Sequence, residues 1–180
     1  TGVNTFKGVY DFTNNQKAYE KHTVEFLLTN LNYLKTMQIN LLQGRDFAAS
    51  DTAQGNEKVV LVNQSLAAMM GWQEPLGKKI KLAYFEEADS NEVAKVIGVV
   101  EDFNASSLHQ KVQPLALFLN NTYGRFLHLR LAQKNLYAAI SDIEKRWSRF
   151  SPDAPFQFSF LNKRLQEQYH EETRQSKLIL

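Results

Sequence analysis

The residues whose types could do chemistry are Asp102, Ser106, Ser107 and His109, within the stretch VIGVVEDFNASSLHQKVQPLAL at 96–117. An acid, two hydroxyls and an imidazole are the parts of an acyl-transfer triad. In a triad the serine attacks, the histidine takes its proton, and the acid orients the ring. The spacing argues against that use. Triad members must converge from different elements, and these four are near neighbours in sequence. No G-x-S-x-G elbow exists elsewhere in the chain to supply another nucleophile. The plainer reading is that Asp102 and Asn104 cap the turn after a buried strand, where short polar side chains bond free backbone N–H groups.

Other chemistries fare no better. The four histidines, His22, His109, His128 and His170, do not stand at metal-ligand spacing from one another, and there is no cysteine. No G-x-G-x-x-G or Walker sequence is present to cradle a phosphate. The carboxylates of Asp11, Glu20, Glu86, Glu87 and Asp89 fall in polar segments that read as solvated loops. No cofactor is therefore expected. The formal net charge is +2, and no basic cluster is longer than a pair such as Lys78-Lys79. Nucleic acid is not an expected partner. Arg45 and Asp46, beside Gly44 and before Phe47, read as a fixed corner. There the guanidinium forks onto carbonyls or a carboxylate.

The elements that must position these residues follow from periodicity. A chain of 180 residues forms one large domain or two small lobes. A loop or short strand is expected around Phe6–Phe12 and a strand over 22–29. Asn30 caps a short helix carrying Leu31, Leu34 and Met37, and the chain exits through Gly44. A loop covers 48–57. A buried strand at 58–64 leads to Asn63, the cap of a helix that stops at Gly71. Residues 78–103 form a hairpin, with Ile80, Leu82 and Tyr84 on one face. Gly98 marks a bulge or a close packing contact. Pro114 opens a strand over 113–120. Alternation predicts strands at 125–132 and, through Phe156, Phe158 and Phe160, at 156–161. An amphipathic helix over 134–150 buries Leu136, Ala139, Ile140, Ile143 and Trp147. A last, polar helix covers 162–180. The pattern implies an α+β fold whose strands face water on one side. No apolar run approaches the roughly 20 residues that span a bilayer. The abrupt start at Thr1 and the end at Leu180, within a helical pattern, read as cuts in a longer protein.

Four segments in order carry a resemblance: YLKTMQINLLQGRDF (33–47), VVLVNQSLAAMMGWQEPLGKKI (59–80), VIGVVEDFNASSLHQKVQPLAL (96–117) and FQFSFLNKRLQEQYHEE (156–172). Together they resemble the MacB-like periplasmic core domain of FtsX-like ABC transporter permeases, over about residues 30–180. Residues 1–29 match that pattern poorly, and the family pattern carries a further strand and helix ahead of the segment that starts here. The resemblance implies two extracytoplasmic lobes. One is a porter-like β-α-β lobe from 1–45 and 96–180, and the other a smaller inserted α/β lobe from 46–95. It implies a non-catalytic domain at the periplasmic face of a bacterial inner membrane, transmitting motion and contacting partners or substrate. The implied partners are the permease's own transmembrane helices, an ATP-binding subunit across the membrane and a periplasmic adaptor protein. The competing expectation is an extracytoplasmic sensor that captures a peptide or small molecule. Gly44, Arg45, Asp46, Gly98, Asp102, Phe103 and Pro114 are the candidates for a structural joint between the lobes.

Overall fold

Runs rich in β-branched and aromatic residues become strands in the first 120 residues, as their side chains suit a pleated, half-buried surface. The computed structural model describes residues 5–14, 18–53, 57–81, 93–105, 111–120, 127–131 and 135–161. It forms two compact units, Thr1–Phe126 and Leu127–Leu180.

The first unit holds β1 (Phe6–Thr13), β2 (Tyr19–Thr29), α1 (Tyr33–Met37), β3 (Leu41–Gly44), β4 (Lys58–Asn63), α2 (Gln64–Met69), β5 (Lys79–Lys81), β6 (Val93–Val100) and β7 (Leu115–Leu119), with a short 3-10 turn at Ala49–Thr52. The pairings close on themselves. β1 is antiparallel to β2, β2 parallel to β7, β7 antiparallel to β4, and β4 parallel to β6. β6 is antiparallel to β5, and β5 returns antiparallel to β1. β3 joins this six-strand circuit from outside, antiparallel to the second half of β6.

Both faces of the central strands are buried. Val60 and Val62 of β4, with Ala116 and Phe118 of β7, pack with Tyr10, Phe12, Ile80 and the α2 residues Leu66 and Ala67. The alternate residues Leu61, Leu115 and Leu117 pack with Tyr33 and Leu34 of α1 and with Phe47. The expectation of one solvated face is thus corrected. α1 and the Phe47 loop cover the second face, and β7 reads as a continuous apolar run for that reason.

The lobe division expected from the sequence is also corrected. Segment 46–95 supplies β4 and β5 to the same sheet as β1, β2 and β3. Its expected end at residue 95 falls inside the continuous strand β6. The break between compact units lies instead after Phe126.

Asn63 ties the first unit together from a fully buried position. Its Oδ1 accepts from the backbone N–H of Leu66, capping α2 as expected, and from that of Leu115 at the start of β7 (2.9 Å each). Its Nδ2 donates to the Gln113 carbonyl at 2.9 Å. One side chain thereby fixes β4, α2 and β7 in register. At α1 the expected cap shifts. Asn30 Oδ1 accepts from the Asn32 N–H of the preceding turn, and Asn32 is the boundary residue.

In the second unit α3 (Leu136–Phe150) carries the expected face. Leu136, Ala139, Ile140, Ile143 and Trp147 are half-buried and none is fully buried. Trp147 Nε1–H donates to the Ala154 carbonyl at 2.9 Å, folding the exit turn onto the helix. The strands expected at 125–132 and 156–161 are not strands in the described residues of those ranges. Alternation alone defines two faces, but a strand also needs a ladder partner. Phe156 and Phe158 instead stack on one another at 5.7 Å, and Phe160 meets Phe158 edge-on. Leu82 and Tyr84 of the expected hairpin, and the 162–180 helix, lie outside the described residues.

Replacing Asn63 by Ala leaves two buried N–H groups and a carbonyl without their partner. The expected cost is about 3 kcal/mol. A urea titration checks it as a lowered midpoint with an unchanged slope.

Candidate functional site

The site is built where β6 changes partner along one edge. Its first half pairs with β5, Lys79 opposite Lys95 and Lys81 opposite Val93. Val96 then donates its N–H to the Lys78 carbonyl and accepts from the Gly77 N–H, both at 2.8 Å. One residue later the Ile97 carbonyl accepts from the Arg45 N–H at 3.0 Å, and Gly98 faces Gly44 of β3. On the opposite edge Val60 faces Val96 but Leu61 faces Gly98. Ile97 is therefore an inserted residue, a β-bulge that lets one edge serve two strands.

The bulge brings backbone against backbone. A Cβ on Gly98 would lie 2.6 Å from the Arg45 carbonyl oxygen and 2.8 Å from a Leu61 methyl. A Cβ on Gly44 would run into the Ile97 carbonyl, and Gly44 also has φ +77°, a region costly for other residues. Of the two sequence readings of Gly98, the close contact holds at Gly98 itself, while the inserted residue of the bulge is its neighbour Ile97.

The corner beyond β3 is pinned by charge. Arg45 forks onto Asp51 with contacts of 2.7 and 2.8 Å, and donates to the Asp46 carbonyl at 3.0 Å. Asp51 also accepts from the Ala48 N–H at 2.8 Å. The hydrogen-bonded Arg45 guanidinium holds the Asp51 carboxyl below the usual carboxylate range, and Asp51 in turn raises Arg45. Asp46 accepts from the Phe47 N–H at 2.7 Å, and its pKa moves up because partial burial outweighs that bond. The bond holds the backbone that delivers Phe47 to the second core cluster.

The two acids closing β6 each grip a different neighbour. Glu101 accepts from the Asn40 N–H (3.0 Å) and from Asn40 Nδ2 (2.9 Å), and its own N–H donates to the Asn40 carbonyl at 3.0 Å. Those donors lower its pKa, the backbone N–H first. Asp102 accepts from the Ser65 N–H at 2.9 Å and from Ser65 Oγ at 2.6 Å. Asp102 therefore caps α2 from across the fold. The expectation that it caps the turn after its own strand is corrected. Its partner was invisible in sequence because Ser65 lies 37 positions away.

Of the seven joint candidates, Gly44, Arg45 and Gly98 meet directly, and Asp46 sits beside them. Phe103 is half-buried against the second cluster. Pro114 stands apart, its carbonyl accepting from Glu25 N–H at 3.0 Å just ahead of β7. All seven lie in the first unit. Sequence reasoning missed Asn40, Asp51 and Glu101. The adjacent acids at the end of an apolar strand were the available signal. Ser106, Ser107 and His109 lie outside the described residues. Asp51, Glu101 and Asp102 all spend their oxygens on named donors, so the chemistry of this site is positioning. Among the described residues no cluster of three His, Asp or Glu could hold a metal.

Residues 2–145 match the family of the MacB-like periplasmic core domain. The chain belongs to that family. This MacB-like domain is similar in structure to the periplasmic region of MacB from Actinobacillus actinomycetemcomitans, with TM-score 0.56 and 18% identity over 83% of this chain. It spans 65% of the length of that region. It is also similar to a domain of a putative permease protein from Porphyromonas gingivalis, with TM-score 0.50 and 21% identity, covering 92% of this chain and 83% of that one. No curated protein matches the chain. Among the described residues no helix is long and apolar enough to cross a membrane.

Gly98→Ala forces the Arg45 carbonyl and Leu61 apart. The expected loss is about 3 kcal/mol, read as a lower urea midpoint. The Arg45–Asp51 pair gives a pH signature. Asp51 is depressed in the fold, so its contribution is full above the unfolded value of about 3.9 and disappears as pH falls through the folded value. Because Arg45 is half exposed, that contribution is at most about 1 kcal/mol. The urea midpoints of the parent and Arg45→Gln should differ steadily from about pH 7 to about pH 5 and converge as the pH falls through the depressed Asp51 value. A difference that persists into strong acid would contradict the pairing.

Proposed function

We propose that this MacB-like domain is the extracytoplasmic part of a bacterial ABC transporter permease and acts there as a stiff relay. It would carry displacement from the permease's transmembrane helices, driven by an ATP-binding subunit on the other side, to a periplasmic adaptor or to substrate. It does no covalent chemistry in this reading. The observation that carries the proposal is the saturated joint at β6. A bulge, a glycine–glycine contact and two carboxylate clamps fix β3, β4, β5 and α2 on one strand. A close-packed, fully bonded element conveys displacement where a loose one absorbs it.

The test uses the full-length permease with its ATP-binding subunit. This domain has no cysteine, so Tyr137→Cys, at a position 90% exposed, is a clean reporter once any cysteines elsewhere in the permease are replaced by serine. A membrane-impermeant maleimide should label it in intact cells; labelling only after lysis would sink the extracytoplasmic placement. The double change Glu101→Ala with Asp102→Ala should leave ATP hydrolysis within about twofold and cut transport per ATP about tenfold, the size of coupling terms carried by packed networks. Unaltered transport in a folded double variant would end the relay reading.

A further inference from the structure

Lysines gather on one outer face of the strand circuit, away from the β6 joint. In register, Lys21 of β2, Asp11 of β1, Lys81 of β5 and Val93 of β6 form one cross-strand row. Two residues along each strand, Tyr19, Thr13, Lys79 and Lys95 form the next row, and Thr13 Oγ1 bonds the Lys79 backbone N–H at 2.8 Å. The residues between the rows, Phe12, Ile80 and Ala94, lie in the core. Side chains alternate along a strand, so both rows point outward.

The charges on this face are poorly matched. Lys79 and Lys95 stand directly opposite one another, an arrangement of like charges that costs stability. Lys95 meets Glu57 at 3.3 Å, but both side chains are about half exposed and such a pair holds weakly. Lys81 lies over the Tyr19 ring, 4.4 Å from its centroid, a contact that leaves its charge uncancelled. Among the described residues the Lys21 and Lys79 ammonium groups have no ion pair. Asp11 stands between Lys21 and Lys81, one carboxylate for two cations. Lys21, Lys79, Lys81 and Lys95 are thus set against Asp11 and Glu57 alone among the described residues of the face.

We propose that this face docks an extended acidic segment of a partner polypeptide. Lys79 and Lys81 are two residues apart on one strand, about 7 Å, which is the repeat of same-side side chains in any extended peptide. Neighbouring strands lie about 5 Å apart, which puts Lys95 within reach of the same carboxylates. A peptide with glutamate at every second position therefore meets this stripe in register. Complementary charge of this kind selects partners and speeds their encounter. Asp11 within the patch disfavours a dense polyanion, whose charges cannot skip it. A membrane surface calls for large apolar side chains to insert beside the cations. In these rows Tyr19 is exposed, but its ring is taken by Lys81, and Val93 is half-buried. The surface is independent of the relay reading, because the clamps of the joint do not include these lysines.

The experiment titrates the 180-residue chain, at low salt, with a blocked peptide of alternating Glu and Ser and with the same peptide carrying Gln for Glu. It follows the backbone amides of Lys79, Lys81 and Lys95 by NMR. The expected result is a Kd of about 1 mM or tighter for the acidic peptide, about tenfold weaker binding for the Gln peptide, and loss of affinity as salt is raised. The double change Lys79→Gln with Lys95→Gln should weaken binding about tenfold while keeping or raising the urea midpoint, since it removes a like-charge contact. Lys35→Gln with Lys111→Gln, the same change in net charge at exposed positions outside the rows, should leave binding within about twofold. Asp11→Asn should strengthen it severalfold. No shift at these amides overturns the proposal. So does equal weakening by the two double variants, which would reduce the effect to net charge. Tighter binding to vesicles of phosphatidylglycerol than to the peptide overturns the choice of a polypeptide.

Discussion

The fold of the first unit depends on one geometric constraint: β6 must serve two different strands along a single edge. A regular strand points alternate residues to alternate edges. Val96 and Ile97 both bond toward the β5–β3 side, which a regular strand cannot do. The inserted Ile97 resolves this, and Gly98 is the residue that permits it, because β3 arrives with its backbone already in contact. The parity of β6 changes at the same point. Ala94 and Val96 face one cluster, then Val99 faces it again after the insertion. Without the bulge, Gly98 would occupy that place and Val99 would turn to the other face. The strand circuit, the two buried faces and the attachment of β3 thus share one cause.

The carboxylates around this constraint divide the work by depth. Asp51 and Glu101 sit near solvent and are held down in pKa by direct donors, so each stays charged and bonded through the ordinary pH range. Asn63 does the equivalent task in the interior with a neutral amide, where a charge would be expensive. Asp102 is itself exposed. It shares the N-terminus of α2 with Asn63, one taking Ser65 and the other Leu66, so a helix of six residues has two of its first-turn N–H groups satisfied from β4 and from the end of β6. Such a short helix has little stability of its own. Its place is set by those two side chains and by Leu66 and Ala67 in the core.

What was legible in the sequence was local. Strand periods at β2, β4, β6 and β7, the Asn63 cap, the Gly98 contact, the face of α3 and the ordered motifs of the MacB-like family all depend on residues close together in the chain. What was not legible depended on partners. The resemblance implies a lobe boundary at residue 95, yet β4 and β5 pair with strands from both sides of that limit. Asp102 was assigned to its own turn because Ser65 is distant in sequence. The solvated second face was inferred from alternation, and the cover supplied by α1 and Phe47 is a tertiary fact. At 127–131 and 156–160 the alternation was present, but no ladder partner is found among the described residues.

Closing the circuit has a mechanical consequence for a domain proposed as a relay. In an open sheet a pull on an edge strand peels it away, because only one neighbour holds it. Within the six-strand circuit each strand has a bonded neighbour on both sides, so load spreads around the ring. β3 is the exception among the described strands, with β6 on one side and an exposed edge on the other. It is also the strand that receives the most reinforcement per residue. Asn40 is clamped by Glu101 at its start, Gly44 is locked on Gly98 at its end, and Arg45 is pinned to Asp51 just beyond. An unsupported four-residue edge strand would fray. One tied at both ends moves only when β6 moves, so any displacement of β3 is passed directly to β6.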